Sequence, residues 1–390
     1  MSTPFYAVLG SHPALSELEI ESLLPSTPVH VAEKVIGLSS LGTYSIQELQ
    51  DLLGGTIKLL ESVARYPVTA ETNADIDYNE LVELSVKTLQ ELAEDSQEIN
   101  FSVLSLIDGN AINNTHVKKG LQAQGFKVRF REGKRPYGLS AAILLDNPVT
   151  ELFVFVQDDE IVFAKTQTCQ DINVWTFRDR GRPFADRKRG MLPLKVARML
   201  LNIATKGNYS DHHVYDPFCG TGSILQEAMQ LGIAATGSDI SYIATKGTLD
   251  NLEWYADSAL PEDADTTIPH IFTGDVTQVS AKHFKQIPTA IVTEPFLGKQ
   301  QAPYSELPNI YKGLYKLYKG AFNAWKSFLP KDATIVIVFP SVQTGRTEYS
   351  LTNLIDELPD LGYNIVSGPI TYARPDAHTK RQVYIIRKQA

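Results

Sequence analysis

The sequence predicts an α/β protein with a mostly parallel seven-stranded sheet in its second half and two smaller α+β units before it. Three observations carry this. From Met191 onward, strand-like apolar runs alternate with helical stretches, and that alternation means a parallel sheet covered on both faces. Residues 1–65 and 66–165 each read as a small α+β unit. At 390 residues the chain has room for two or three domains, each burying its own core.

In order, "FYAVLG" reads as a strand. "SHPALSELEIESLL" reads as a helix, with Ser11 and a proline at its start and a stripe at Ile20, Leu23 and Leu24. "LGGTIKLLESVARYP" is a turn leading into a strand. In the second unit "YNELVELSVKTLQELAED" is helical and "NFSVLSLI" extended. "NNTHVKKGLQAQG" is a helix with Asn near its start and Gly125 at its end. "FKVRFR" alternates strictly, so Phe126, Val128 and Phe130 face a core while Lys127, Arg129 and Arg131 face away. "LFVFVQDDEIVFAK" is a hairpin with a polar turn. Residues 166–190, including "WTFRDRGRPFADRKRG", read as a linker or ordered loop. After it come the helix "VARMLLNIA" and the strands "HHVYDPF", "IAATGSDI", "HIFTGDV", "TAIVTEPF" and "ATIVIVFP", with helices between most of them. "YKGLYKLYKGAFNAWKSFL" carries Tyr311, Leu314, Tyr315, Tyr318, Phe322 and Trp325 at helical intervals, the pattern of a buried helix face. "YNIVSGPITYA" and "RQVYIIRK" close the sheet as an edge hairpin, and in the joining "DAHTKRQ" His378, Lys380 and Arg381 are candidates for substrate contact, with a solvated turn the safer reading.

Composition is ordinary for a globular protein. No apolar run reaches the roughly 18 residues of a membrane span, and the N-terminus lacks the pattern of a signal peptide. Two cysteines, Cys169 and Cys219, in different contexts argue against a disulfide framework and a thiolate metal site. A cytoplasmic protein without a metal is the expectation. The net charge is −9, yet it is unevenly spread. The first hundred residues hold 16 acids against four Lys or Arg, whereas Lys118 to Arg135 hold seven basic residues and one acid.

"YDPFCGTGS" follows a strand and opens a helix. Gly220 and Gly222 let the backbone turn tightly and approach a ligand. No Gly-Lys-Ser/Thr follows, so it is not a phosphate loop. Leu225 stands where a dinucleotide fingerprint has its third glycine, so a ligand without a pyrophosphate fits better. Asp216, Asp239, Asp275 and Glu294 all fall at strand ends and should line one edge, where such sheets bind ligands. Asp239 can accept from ribose hydroxyls and Asp275 can meet an adenine amine.

"DPFCGTGSILQEA" resembles the first motif of class I S-adenosylmethionine-dependent methyltransferases, in the branch that modifies exocyclic amines of RNA bases. "RPFADRKRGMLPLKVARMLLNIA" is similar to the segment before the glycine loop in tRNA guanine-N2-methyltransferases that carry a THUMP domain. The unit at 66–165 sits where that RNA-binding domain sits, and "LGGTIKLLE" is similar to the end of the small domain before it. The resemblance implies a Rossmann-like class I methyltransferase domain at 191–390, a THUMP-like domain at 66–165, S-adenosylmethionine as cofactor and tRNA as partner. Some members of the family work with a small activating subunit. Asp216, Phe218, Gly220, Thr221, Gly222, Asp239 and Asp275 would hold the cofactor.

In this family the fourth strand ends in Asp/Asn-Pro-Pro-Tyr/Phe. An aromatic amine is a poor nucleophile because its lone pair is delocalised. Acceptors on the amino hydrogens turn that lone pair towards the methyl donor, and an aromatic ring stacks on the base. Here the loop is Glu294-Pro295-Phe296-Leu297-Gly298. Glu294 keeps the acid with one more methylene, Pro295 keeps the first proline, and the stacking ring is either displaced to Phe296 or lost. The resemblance makes Glu294, Pro295 and Phe296 the catalytic loop. Lys118, Lys119, Lys127, Arg129, Arg131, Arg180, Arg182 and Arg187 are candidates for phosphate contacts, with solvated surface charge the equal alternative for each. Two other readings stay open: an RNA-binding protein with impaired catalysis, and an amine methyltransferase acting on rRNA, DNA adenine or protein glutamine.

Overall fold

The chain's elements follow its apolar periodicities closely, and its cores follow from them. The computed structural model describes residues 4–68, 76–186, 190–260, 265–345, 347–373 and 377–389. They fall into two units, Met1–Val174 and Trp175–Ala390.

The first unit runs β1 (Phe5–Leu9), α1 (Pro13–Leu23), β2 (Val29–Ala32), β3 (Val35–Leu38), α2 (Ile46–Leu52), β4 (Thr56–Pro67), α3 (Tyr78–Ala93), β5 (Glu98–Ser105), α4 (Asn114–Ala123), β6 (Lys127–Phe130), α5 (Ala141–Asp146), β7 (Thr150–Gln157) and β8 (Glu160–Cys169). All eight strands form one sheet, ordered β2-β3-β1-β4-β8-β7-β5-β6. The boundary expected at 65/66 falls inside β4, which pairs with β1 on one side and β8 on the other. Asn113 caps α4 by accepting from the Thr115 amide at 2.9 Å, as the sequence suggested. The β7–β8 turn is Asp158-Asp159, both left-handed with φ of 52° and 58°, a conformation aspartate tolerates. Val128 is buried against α3 and α4 while Lys127 and Arg129 are exposed, so the alternation in "FKVRFR" holds.

Lys58 and Glu151 form an ion pair with no side-chain exposure on either partner. The Lys58 ammonium also donates to the carbonyls of Tyr137 and Leu139, both at 2.8 Å. Glu151 accepts in addition from the Thr166 hydroxyl and the Leu139 amide. Burial pulls the Lys58 pKa down, and the Glu151 charge works against that. The pair ties β4, β7 and β8 to the 137–139 segment.

Helix α6 (Ile172–Arg180) is a correction. The 166–190 stretch reads as linker, but its first residues complete β8 and Ile172–Arg180 is helical. Its arginines made it look solvated; Arg178 is instead buried and paired with Glu227, which also accepts from the Arg198 Nε at 2.8 Å. Glu227 lies 49 residues from Arg178, so local pattern could not supply it.

The second unit continues with α7 (Leu194–Thr205), β9 (His213–Asp216), α8 (Ser223–Gln230), β10 (Ala234–Asp239), α9 (Tyr242–Ser258), β11 (His270–Thr273), β12 (Ala290–Thr293), α10 (Leu307–Lys326), β13 (Thr334–Thr344), β14 (Thr347–Tyr349), α11 (Thr352–Glu357), β15 (Tyr363–Tyr372) and β16 (Lys380–Lys388). Its main sheet is ordered β11-β10-β9-β12-β13-β16-β15, with β14 folded onto β13. β11 to β13 are parallel and β15–β16 is an antiparallel hairpin on β13. This seven-stranded order is that of the Rossmann-like class I methyltransferase fold. The direction of strand succession reverses between β9 and β12, which places a ligand crevice at their carboxyl ends. Of the α10 stripe, Tyr311, Leu314, Tyr318, Phe322 and Trp325 are in the core as expected, while Tyr315 is only half-buried against it.

Candidate active site

Asp216 ends β9, and the next residues turn through Gly220 and Gly222 at φ of 55° and 83°, a region that favours glycine. A Cβ on Gly222 would lie 2.9 Å from a Thr248 methyl carbon, whereas one on Gly220 would meet nothing nearer than 3.8 Å. The loop therefore has a tight side towards α9 and an open side. α9 holds the tight side: the Thr248 hydroxyl donates to the Gly220 carbonyl, and the Asn251 amide to the Thr221 carbonyl, both at 2.9 Å. The close approach of α8 to the sheet uses Gly237 on β10, where a Cβ would lie 2.4 Å from Leu225. Small size at Gly237 thus supplies the clearance that the dinucleotide fingerprint takes from its third glycine.

Three of the four strand-end acids converge. Asp216 is 2% exposed and accepts from the Thr293 hydroxyl at 2.7 Å and the Phe218 amide at 3.2 Å. Burial pushes its pKa up to about 7; those two donors oppose the shift, and the Asp239 and Glu294 charges add to it. Asp239 accepts from the Gly220 amide at 3.2 Å and the Ser241 amide at 2.8 Å. A buried acid flanked by two others suits a ligand that brings positive charge. Asp275, at the end of the β11 segment, is exposed and caps a short turn by accepting from the amide and hydroxyl of Thr277.

Glu294 follows β12. Its side chain is 12% exposed. It accepts from the Tyr372 hydroxyl at 2.8 Å and from Arg381 Nε at 3.1 Å. Pro295 is buried, the Phe296 side chain is exposed, and the Phe296 carbonyl accepts from the Tyr318 hydroxyl at 2.6 Å. Gly298 has φ of 94°, which lets the loop turn back towards α10.

No family model matches the chain. It is 38% identical over 182 residues to the tRNA (guanine(10)-N2)-dimethyltransferase of Methanothermobacter thermautotrophicus, covering 46% of this chain and 45% of that one. Against the probable tRNA (guanine(10)-N2)-dimethyltransferase of Methanothermococcus thermolithotrophicus it is 31% identical over 127 residues, 32% of this chain and 74% of the relative. The chain belongs to the tRNA guanine-N2-methyltransferase family. It spans about half the length of the first curated relatives it matches. The crystal structure of TrmN from Thermus thermophilus shares the fold over 98% of this chain and 99% of that one, with a TM-score of 0.56 and 17% identity.

Within this member of the family, Asp216, Phe218, Gly220, Thr221, Gly222 and Asp239 come together at the glycine loop, and Glu294, Pro295 and Phe296 follow the adjacent strand. Three residues that sequence reasoning missed, Thr293, Tyr318 and Tyr372, complete the site together with Arg381. Arg381 is a correction, since it lies in β16 opposite Tyr372 rather than in a solvated turn. The register of the edge hairpin was the signal that could have set it opposite Tyr372.

Arg182 is a second correction. It is 6% exposed and donates to the Ser223 hydroxyl at 2.9 Å, so it supports the start of α8 and offers no phosphate contact. Arg180 is exposed. Arg187 lies outside the described residues. In the first unit Lys119, Lys127, Arg129 and Arg131 are exposed, with Lys127 paired to Glu98, while Lys118 is half-buried with its ammonium 5.9 Å from the centre of the Phe130 ring.

Proposed function

We propose that this chain is an S-adenosylmethionine-dependent tRNA methyltransferase acting on an exocyclic base amine, guanine N2. The observation that carries the reading is Glu294, a shielded carboxylate at the end of β12, on the strand next to Asp216 and its glycine loop. When bound, S-adenosylmethionine supplies an electrophilic methyl group. Asp216 would receive its ammonium, Asp239 its ribose hydroxyls and Asp275 its adenine amine, and the open face of Gly220 would let it approach the backbone. Glu294 accepts a hydrogen bond from the base amine and turns the nitrogen lone pair towards the methyl group. Phe296, exposed beside Glu294, stacks on the base. With the cofactor bound, the transfer would break its sulfonium–methyl bond as the nitrogen–methyl bond forms, leaving a neutral thioether, and the amine would lose one proton to solvent.

The exposed cations Lys119, Lys127, Arg129 and Arg131 give residues 66–165, the THUMP-like region, a surface for RNA phosphates. Among the described residues no helix is long and apolar enough to cross a membrane. A cytoplasmic site of action is part of the same proposal. A small activating subunit, known among family members, belongs to the same proposal.

The test is transfer of labelled methyl groups to bulk tRNA by wild type and Glu294→Ala. The wild type is expected to yield N2-methylguanosine on nucleoside analysis. Glu294→Ala is expected to bind cofactor and transfer no methyl. An active Glu294→Ala protein would sink the role of Glu294, and a wild type that labels only DNA or protein would sink the substrate class.

A further inference from the structure

The loop after β12 lacks the second proline of the pattern it resembles, and Phe296 stands there. Rigidity that the backbone does not supply must come from elsewhere if Glu294 is to hold one geometry. The structure provides it from the edge hairpin. Tyr372 ends β15 and Arg381 lies directly opposite it near the start of β16. Their donors converge on one carboxylate oxygen, Glu294 Oε2, at 2.8 Å from the Tyr372 hydroxyl and 3.1 Å from Arg381 Nε. Oε1 has only a longer contact with Arg381 Nε, at 3.3 Å. An ionised carboxylate offers about four acceptor positions over its two oxygens. Two donors on Oε2 stop the group rotating and leave acceptor capacity on Oε1.

The other half of the loop is held in the same manner. The hydroxyl of the fully buried Tyr318 donates to the Phe296 carbonyl, a group that retains a second lone pair for a ligand.

We propose that Arg381 and Tyr372 are positioning residues for Glu294. They clamp its carboxylate so that Oε1 faces the base amine, and they replace the rigidity of the missing second proline. This rests on the methyl-transfer reading above. It adds a requirement which that reading does not contain: the edge hairpin, and not the loop alone, sets the geometry of the acceptor.

The experiment compares Arg381→Gln, Arg381→Lys and Tyr372→Phe with wild type in methyl transfer to tRNA, alongside calorimetric titration with S-adenosylmethionine. Misplacing an acceptor by a fraction of an ångström slows transfer without weakening ground-state binding. Arg381→Gln is therefore expected to lower kcat by roughly tenfold or more, with KM for tRNA and cofactor Kd within about twofold. Arg381→Lys keeps a charge and a donor and should recover part of the loss; Tyr372→Phe should show a smaller fall in kcat alone. Wild-type kcat in Arg381→Gln, or loss of cofactor affinity in step with kcat, would overturn the clamp.

A double-mutant cycle on urea unfolding, with Glu294→Gln and Arg381→Gln, separates this inference from the reading beneath it. Coupling between the two substitutions is expected and additivity would overturn the clamp. If the wild type transfers no methyl to tRNA, the methyl-transfer reading fails, and the unfolding cycle still decides whether the pair holds Glu294.

Discussion

Asp216 carries an electrostatic consequence that falls near neutral pH. Its carboxyl is buried and titrates near pH 7 in the folded protein against an ordinary value of 3.8. The folded state thus holds a proton that the unfolded chain releases between about pH 4 and 7. Its contribution to stability is fully present below pH 4 and is lost as pH rises through 7. Melting temperatures of ligand-free wild type should fall across that window more steeply than those of Asp216→Asn. A cationic ligand favours the ionised form, so S-adenosylmethionine should bind wild type more tightly at pH 8 than at pH 6. Equal calorimetric affinities at the two pH values would exclude Asp216 as the ammonium partner. That an acid ends the first parallel strand was legible in "YDPFCGTGS"; that it is buried beneath the Thr293 hydroxyl was not, because Thr293 arrives from a strand 77 residues away.

Among the elements, β4, β7 and β8 are joined by the Lys58–Glu151 pair. A buried pair adds little over a well-packed apolar one, but removing one partner strands a charge. Lys58→Met leaves Glu151 buried without its counter-ion and should destabilise the protein by about 3–5 kcal/mol. The double substitution Lys58→Met with Glu151→Met should recover most of that. Urea midpoints followed by a signal from the first unit would show both, and a Lys58→Met midpoint equal to wild type would contradict the assignment. Helix α6 teaches a related lesson. "WTFRDRGRPF" is rich in charge and looks like a solvated linker, yet Arg178 and Arg182 meet partners on α8. Charge pattern tells what a segment can pair with and leaves open whether solvent or another element provides the partner.

For the whole molecule, a net charge of −9 would disfavour binding of nucleic acid if it were evenly spread. Exposed Arg129 and Arg131 in the first unit offset it locally. Replacing both with alanine should weaken tRNA binding and flatten its dependence on salt, by roughly one charge per residue. Filter-binding isotherms at several salt concentrations would read the slope, and an unchanged slope would remove these residues from the interface. The sequence by itself determined the alternation of strands and helices from Met191 onward, the glycine loop, the acids that end the strands and the basic face of "FKVRFR". Each is a short-range pattern, set by backbone conformation and by which side chains must leave water. Tertiary structure alone decided that the first unit is a single eight-stranded sheet, that Arg182 is buried and that Glu294 is clamped from the edge hairpin. Those outcomes depend on partners brought together from 41 to 151 residues apart, and no local periodicity encodes who meets whom across such distances.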